Sequence, residues 1–500
     1  MLKFAGIFKD HMVLQRCKPI SVWGTGTSGT EISVSLHTSK STAKVNKDGT
    51  WKVSLVPLQA GTDYTLNAVC GNEEISVKDI AIGEVWLDGG QSNMELPLIN
   101  SENGREICKA YNGSKIRFYQ VPKCPVMDEL QKQQEEESKW YIANSENVGN
   151  MSAVAFYFVS YLAEKLDCII GIIDCYWGGT SIACWMSIPK LKKLTSGKNM
   201  LEEYTELVGD KSAEQYTAEM REYNAEYQQW QKKVDDLKLG NPDISWKEIH
   251  EECGECPWPQ PVGWQSPFRP GGLYETMIHR IAGFSIKGFI YYQGEEDVQR
   301  FECYCDMMQM LVNQWRMDWN DWQLPFLFVQ LPMYIAKGET DDRHWAMQRQ
   351  QQQMAADMIQ NSGMISLADC GEFDNIHPLN KKTPGERLAV LAESMVYGNS
   401  GSVTPTADYV YSDGKKLYIS FCNVPDKLTL HQTNQNSFEI AGADGKFVSA
   451  QVNITENNLL CAESENIEYP CALRYGWYNF GEASLFTESG IAASPFLKYI

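Results

Sequence analysis

Five short apolar runs separated by longer stretches of helical periodicity constrain this chain more than any other feature. They read GEVWLDGG from residue 83, DCIIGIIDCYWGG from 167, IKGFIYYQGEED from 286, LPFLFVQLP from 324 and GMISLADCG from 363. Runs of this length with no alternation suit strands buried on both faces, as in a parallel sheet. MSAVAFYFVSYLAEKL, from residue 151, has the pattern of a helix covering such a sheet. Alternating strands and helices predict a doubly wound α/β fold, whose ligands gather at the carboxyl ends of the strands. Ser92, Gly178, Gly179 and Gln293 all fall just after such ends.

The flanks have a different texture. Residues 1–80 alternate apolar and polar residues in short runs, with Asp48-Gly49 as a hairpin signal, and predict a small β-sandwich. Residues 402–500 return to β-rich patterning (KLYISF, SFEIAGADGKFVSAQVNI) and predict a C-terminal β unit. The catalytic body is then 81–401, with an insertion at about 190–262. In that insertion Tyr216, Met220, Tyr223, Tyr227, Trp230, Val234 and Leu237 recur at steps of four and three. This is an amphipathic helix, read first as packing on its own domain, with a dimer contact or a substrate lid as alternatives.

Charge narrows the partners. Forty-four basic against 64 acidic side chains leave a net charge of −20, which repels nucleic acids and anionic membranes. No run of about 18 apolar residues offers a membrane span. Charges at Lys9 and Asp10 interrupt the N-terminal apolar stretch too early for a signal-peptide core. The 15 cysteines, odd in number and scattered, suit a reducing compartment. The expectation is cytoplasmic, with a secreted or periplasmic protein as the alternative if a leader was removed. Cys253-x-x-Cys256 and Cys303-x-Cys305 have poor spacing for a shared zinc, so neither metal nor cofactor is expected.

Ser92 stands in WLDGGQSNMELP, after a strand-like run and two glycines. Glycines there permit a sharp turn and close approach of a substrate, and the helical segment that follows leaves amides free to donate. Met94 replaces the second glycine of a G-x-S-x-G elbow. Taken alone, such a serine is more often a turn or cap residue than a nucleophile. A nucleophilic serine needs a base, and His377, in DCGEFDNIHPLN, has Asp374 three residues before it. A D-x-x-H step in a loop is able to point both side chains into one cleft. Gly178 and Gly179, in CYWGGTS, and the Gln293 side chain, in YYQGEED, supply oxyanion donors. Nucleophile, base, orienting acid and donors are the requirements of acyl transfer.

Gly90-Gln91-Ser92-Asn93-Met94, Trp177-Gly178-Gly179-Thr180, Gln293-Gly294-Glu295 and Asp374-Asn375-Ile376-His377-Pro378 together resemble the four blocks of the sialate O-acetylesterase family. That family is a carbohydrate-esterase branch of the SGNH hydrolases, with a flavodoxin-like α/β/α core. FKDHMVLQRCKPISVWG near the start, and LRYGWYNF with GIAASPF near the end, extend the resemblance over nearly the whole chain. It implies Ser92 as nucleophile and His377 as general base; Asp374 is the candidate acid from the D-x-x-H step, with a Ser–His dyad steadied by backbone, as in some relatives, the alternative. It implies the amides of Ser92 and of Gly178 or Gly179, with Gln293, as oxyanion donors. Gln91, Asn93, Trp177, Tyr292, Glu295 and Arg349 are the implied substrate-binding residues. The acid precedes His377 by three residues, whereas many relatives carry Asn-Asp before Ile-His-Pro.

The activity so implied is removal of O-acetyl groups from a carbohydrate, O-acetylated sialic acid first and acetylated xylan or another polysaccharide as the alternative. A monomer or a homodimer is expected. Two rival classes stay open at this point. A glycoside hydrolase would pair Glu295 with Glu296 or Asp297, although neighbours on a strand face opposite ways. A non-catalytic sugar-binding protein would rest on the flanking β units.

Overall fold

The computed structural model describes residues 1–241, 244, 246–399 and 403–500. Its central element is one 18-residue strand, Glu73–Gly90, buried along its second half. On one side of it lie strands Ile170–Tyr176, Ile116–Gln120 and Trp140–Ile142, and on the other Gly288–Tyr292, Phe326–Val329 and Ser362–Ile365. All pair in parallel except Trp140–Ile142.

Side chains alternate across this sheet, as the pleat requires. Trp86, Ile172 and Ile290 enter one apolar layer with Phe158 and Leu388, while Leu87, Ile173 and Phe289 enter the other with Leu311 and Trp315. Helices Ala153–Lys165 and Lys382–Val396 cover the first face, and helix Tyr304–Asp318 covers the second. The result is a three-layer α/β/α body. The two covering helices approach closely at Gly385, where a Cβ would sit 2.6 Å from Tyr157 Cβ. Ser152 opens the first of them by accepting a hydrogen bond from Ala155 N–H at 3.1 Å.

The N-terminal unit is joined to this body by the sheet itself. Strand Glu73–Gly90 crosses residue 80 without a break, and its first half pairs with Gly61–Cys70 and Val13–Gln15. A separate three-stranded sheet, Lys3–Phe4, Ile20–Thr25 and Thr50–Leu55, lies beside it. Ile20, Val22 and Trp51 share one apolar cluster with Phe284 and Trp319 of the body. The C-terminal unit has its own core around Leu417, Ile419, Leu460 and Leu473, within two four-stranded sheets and a strand pair. The expected junction at 401/402 lies outside the described residues.

The insertion folds back on itself. Helix Ala213–Gly240 begins with a capping box between Ser212 and Gln215. Its Trp230 and Val234 bury against Ile249 of helix Trp246–Cys253, and Tyr223 donates to the Pro257 carbonyl at 2.9 Å. Part of the aromatic stripe is thus satisfied within the chain.

Strand order places the switch point of the sheet at the carboxyl end of Glu73–Gly90. The chain leaves that strand to build one side of the sheet and later returns to build the other. The crevice opened there is where such folds hold ligands, and Ser92 is the second residue beyond it.

Candidate active site

Gly90 ends the central strand with φ +134°, and a Cβ there would meet the Tyr292 carbonyl oxygen at 2.0 Å. Only glycine lets the neighbouring strand lie so near at that φ. Gln91 N–H then donates to the Tyr292 carbonyl at 3.1 Å, and the short helix Ser92–Glu95 follows. Its first hydrogen bonds are Met94 and Glu95 N–H to the Gln91 carbonyl. The amides of Ser92 and Asn93 precede them and are left over by the helix geometry.

Ser92 Oγ lies 2.8 Å from His377 Nε2, across 285 residues of sequence. The loop carrying His377 is tied by its own side chains. Asn375 Oδ1 accepts from His377 N–H at 3.0 Å, and Asn375 Nδ2 donates to Glu372 at 2.7 Å. Glu372 also accepts from Leu379 N–H at 2.9 Å. Burial, reinforced by the charge of Lys381, pushes the imidazole down to a pKa of about 4. The ring is therefore neutral, and able to accept a proton, through the whole physiological range.

Asp374 does not reach the imidazole. With φ +60° it turns away, and its Oδ1 accepts from Lys337 N–H at 2.7 Å. Among the described residues no carboxylate lies within ion-pair distance of His377. The geometry is a Ser–His dyad on a braced loop.

Gly178 comes up beside the serine: a Cβ on it would stand 3.3 Å from Ser92 Cβ. Its N–H donates to Glu95 Oε2 at 2.6 Å, and Lys123 holds the other Glu95 oxygen. Gly179, φ +69°, lies under the Trp258 ring, where a Cβ would clash at 2.3 Å. Trp177 N–H donates to the Gly90 carbonyl at 3.1 Å, and its ring lies 5.6 Å from Lys123 Nζ.

The Gln293 amide, expected as an oxyanion donor, is spent elsewhere. Its Nε2 donates to Gln91 Oε1 and the Thr180 carbonyl, both at 3.1 Å, and to Asp297 Oδ2 at 2.5 Å. Tyr304 O–H donates to its Oε1 at 2.9 Å. Gln91 and Gln293 thus lock the strand ends together beneath the site. Tyr292 is equally buried, and Arg349 is not at the cleft. The Arg349 guanidinium is fully buried and donates to the carbonyls of Gly476 at 3.3 Å, of Pro332 at 3.5 Å and of Tyr478. It fastens the C-terminal unit to the body, and desolvation lowers its pKa to about 10.

Asn93 and Glu295 belong to a network the sequence did not announce. Asn93 Nδ2 donates to Glu295 Oε1 at 2.5 Å and to the Ile376 carbonyl at 2.9 Å, while Lys381 Nζ donates to Asn93 Oδ1 at 2.5 Å. The residue after the serine is thereby clamped to the residue before the histidine. Lys381 is buried, which lowers its pKa to about 7, and burial raises that of Glu295. In sequence Lys381 is half of an ordinary Lys-Lys pair, and its spacing of four from His377 is the one available hint. Glu95, three residues after Ser92, reads simply as a first-turn acid.

The rival carboxylate pair has no support in the geometry. Glu295 starts a 3-10 helix rather than continuing a strand, and Glu295 and Asp297 are both buried in hydrogen bonds to protein groups. A different acid pair lies below the serine: Asp88 and Asp174, register partners on adjacent strands, both buried. Burial raises both, Asp174 to about 7 and Asp88 well beyond the usual carboxylate range. Among the described residues no group of three or more His, Cys, Asp or Glu side chains is placed to hold a metal ion.

A cleft of about 750 Å³ opens beside His377, lined on one side by the insertion (Tyr227, Trp230, Glu251, Trp258) and on the other by Tyr334 and Lys337.

The chain is similar to known carbohydrate esterases. Residues 260–395 match the family model described as a carbohydrate esterase, sialic acid-specific acetylesterase. The sialate O-acetylesterase of Mus musculus is 26% identical over 552 aligned positions, covering 100% of this chain and 94% of that protein. The sialate O-acetylesterase of Homo sapiens is 24% identical, covering 100% of this chain and 92% of its own. Among solved structures, a carbohydrate acetylesterase from Xanthomonas citri superposes with a TM-score of 0.77 at 27% identity, covering 99% of each chain.

Proposed function

We propose that this chain, which is similar over its whole length to carbohydrate esterases of the sialate O-acetylesterase family, hydrolyses O-acetyl esters on sugars through an acyl-enzyme on Ser92. The observation that carries the mechanism is the 2.8 Å contact between Ser92 Oγ and a His377 ring kept neutral by burial. Ser92 Oγ attacks the acetyl carbonyl while His377 Nε2 takes its proton. The tetrahedral oxyanion rests on the Ser92 amide and on the Gly178 amide, from which it displaces the Glu95 carboxylate. One such donor is worth roughly 10²–10³ in rate. Collapse of the intermediate expels the sugar hydroxyl, protonated by His377, and water then releases acetate by the reverse proton path.

No carboxylate behind His377 is required by this reading. The braced loop through Asn375 and Glu372 fixes the ring instead. The names of the relatives make O-acetylated sialic acid one substrate to try, and acetylated xylan is the other.

Acetate release by Ser92→Ala and His377→Ala tests the proposal. The expected outcome is that both variants fold, by circular dichroism, and lose activity by about 10³ or more. Acetate release at the wild-type rate by either would refute the mechanism.

A further inference from the structure

Resting on that esterase reading, we propose that the cleft beside Ser92 and His377 takes an uncharged acetylated sugar, laid against Trp258, and turns away sugars that carry a carboxylate.

The first argument is charge. Four carboxylates line the cleft: Glu251, Glu255, Glu339 and Asp374. The lysine that accompanies them is Lys337, 3.8 Å from Glu251, and the His250 ring lies 3.8 Å from Glu255. Nearby cations are also engaged: Lys123 with Glu95, and Arg300 with Glu203 at 3.1 Å. Arg349, expected from the sequence among the substrate-binding residues, is buried under the C-terminal unit. Among the described residues no arginine lines the cleft. These acids do not form a metal cluster that would reverse the local sign. The net charge of −20 adds repulsion at longer range.

The second argument is shape. Trp258 is 52% exposed, packs edge-to-face on Phe268 at 5.5 Å, and covers the space left by the missing Cβ of Gly179. A second hollow, of about 250 Å³, adjoins its other side. A braced, exposed indole next to the dyad is a platform for the C–H face of a neutral pyranose. Tyr227, Trp230 and Tyr334 continue the aromatic lining on the His377 side. The insertion supplies three of these four rings, so this segment sets the specificity.

The test compares acetate release from three esters at low ionic strength: 4-nitrophenyl acetate, 9-O-acetyl-N-acetylneuraminic acid, and the methyl ester of that acid. The last two differ in one negative charge. Three net like charges roughly 8 Å away, at the dielectric of water, lower kcat/KM for the free acid by about tenfold. Added salt narrows that gap, and Glu251→Gln with Glu255→Gln narrows it further. Trp258→Ala raises KM for the neutral sugar ester more than for 4-nitrophenyl acetate. Equal or faster turnover of the free acid, with 4-nitrophenyl acetate still hydrolysed, overturns the specificity proposal alone. Failure to hydrolyse 4-nitrophenyl acetate overturns the esterase reading, and this proposal with it.

Discussion

Lowering the pH from 8 to 5.5 should leave kcat/KM of this enzyme nearly unchanged. A histidine base of ordinary pKa, about 6.5, is only about 9% neutral at pH 5.5, and its enzyme loses about tenfold in rate. His377 is held at about 4 by burial and by Lys381, so about 97% of it is still neutral there. Lys381 titrates at about 7, so its charge is present throughout the acid range in which it depresses His377. Lys381→Met removes that charge and leaves Glu295 facing the site, so the acid limb moves to higher pH. The assay is the initial rate of acetate release at subsaturating substrate from pH 4.5 to 8, for both proteins. An inflection near 6.5 in the wild type would refute the reasoning. An unmoved inflection in the variant would leave burial as the sole cause. The same shift enters stability: an unfolded chain protonates this histidine near 6.5 and the folded one only near 4, so acidification between those values destabilises the fold.

Three further outcomes concern Asp374, the buried acid pair and Arg349. Asp374→Asn keeps the oxygen that accepts from Lys337 N–H, so kcat falls less than about threefold, whereas a triad acid so replaced costs about 10⁴. Asp88→Asn acts on the buried acid pair. Both carboxyls of the folded pair keep protons that the unfolded chain releases near pH 4, so wild-type stability falls as the pH rises from there towards 7, by about 1.4 kcal/mol per pH unit for each proton retained. The variant has a flatter Tm–pH curve and a higher Tm at pH 8, and parallel curves would contradict this. Arg349→Met leaves three buried carbonyls without their donor and costs about 3 kcal/mol or more. Thermal unfolding reads that loss, while KM of the surviving fold stays within about twofold.

The sequence revealed most where backbone geometry restricts residue choice. Gly90 is needed because the neighbouring strand comes too close for a Cβ, and a Cβ at Gly178 would crowd the serine at 3.3 Å; their Gly-Gly steps mark the strand ends. The α/β body was legible from the unbroken apolar runs, which only double-sided burial explains. The continuous strand through residue 80 was not, because its first half alternates like a surface strand and its second does not. Side-chain direction was harder to read. Gln293 and Arg349 carry the right chemistry for a site but satisfy buried partners, and nothing local distinguishes those uses. Asp374 was placed by spacing alone, and a left-handed turn at that residue sends it to Lys337 instead. Trp258 joins the site only through tertiary packing, and Lys381 and Glu95, though near His377 and Ser92 in sequence, show their roles only in the folded contacts.

Covalent trapping tests the central claim most directly. The enzyme is treated with a fluorophosphonate, digested and mapped by mass spectrometry, in the wild type and in Ser92→Ala and His377→Ala. The account predicts one modified residue, Ser92, with labelling absent in the first variant and slowed by at least about a hundredfold in the second. Stoichiometric label on another serine, or full acetate release from a protein in which Ser92 is blocked, would contradict it.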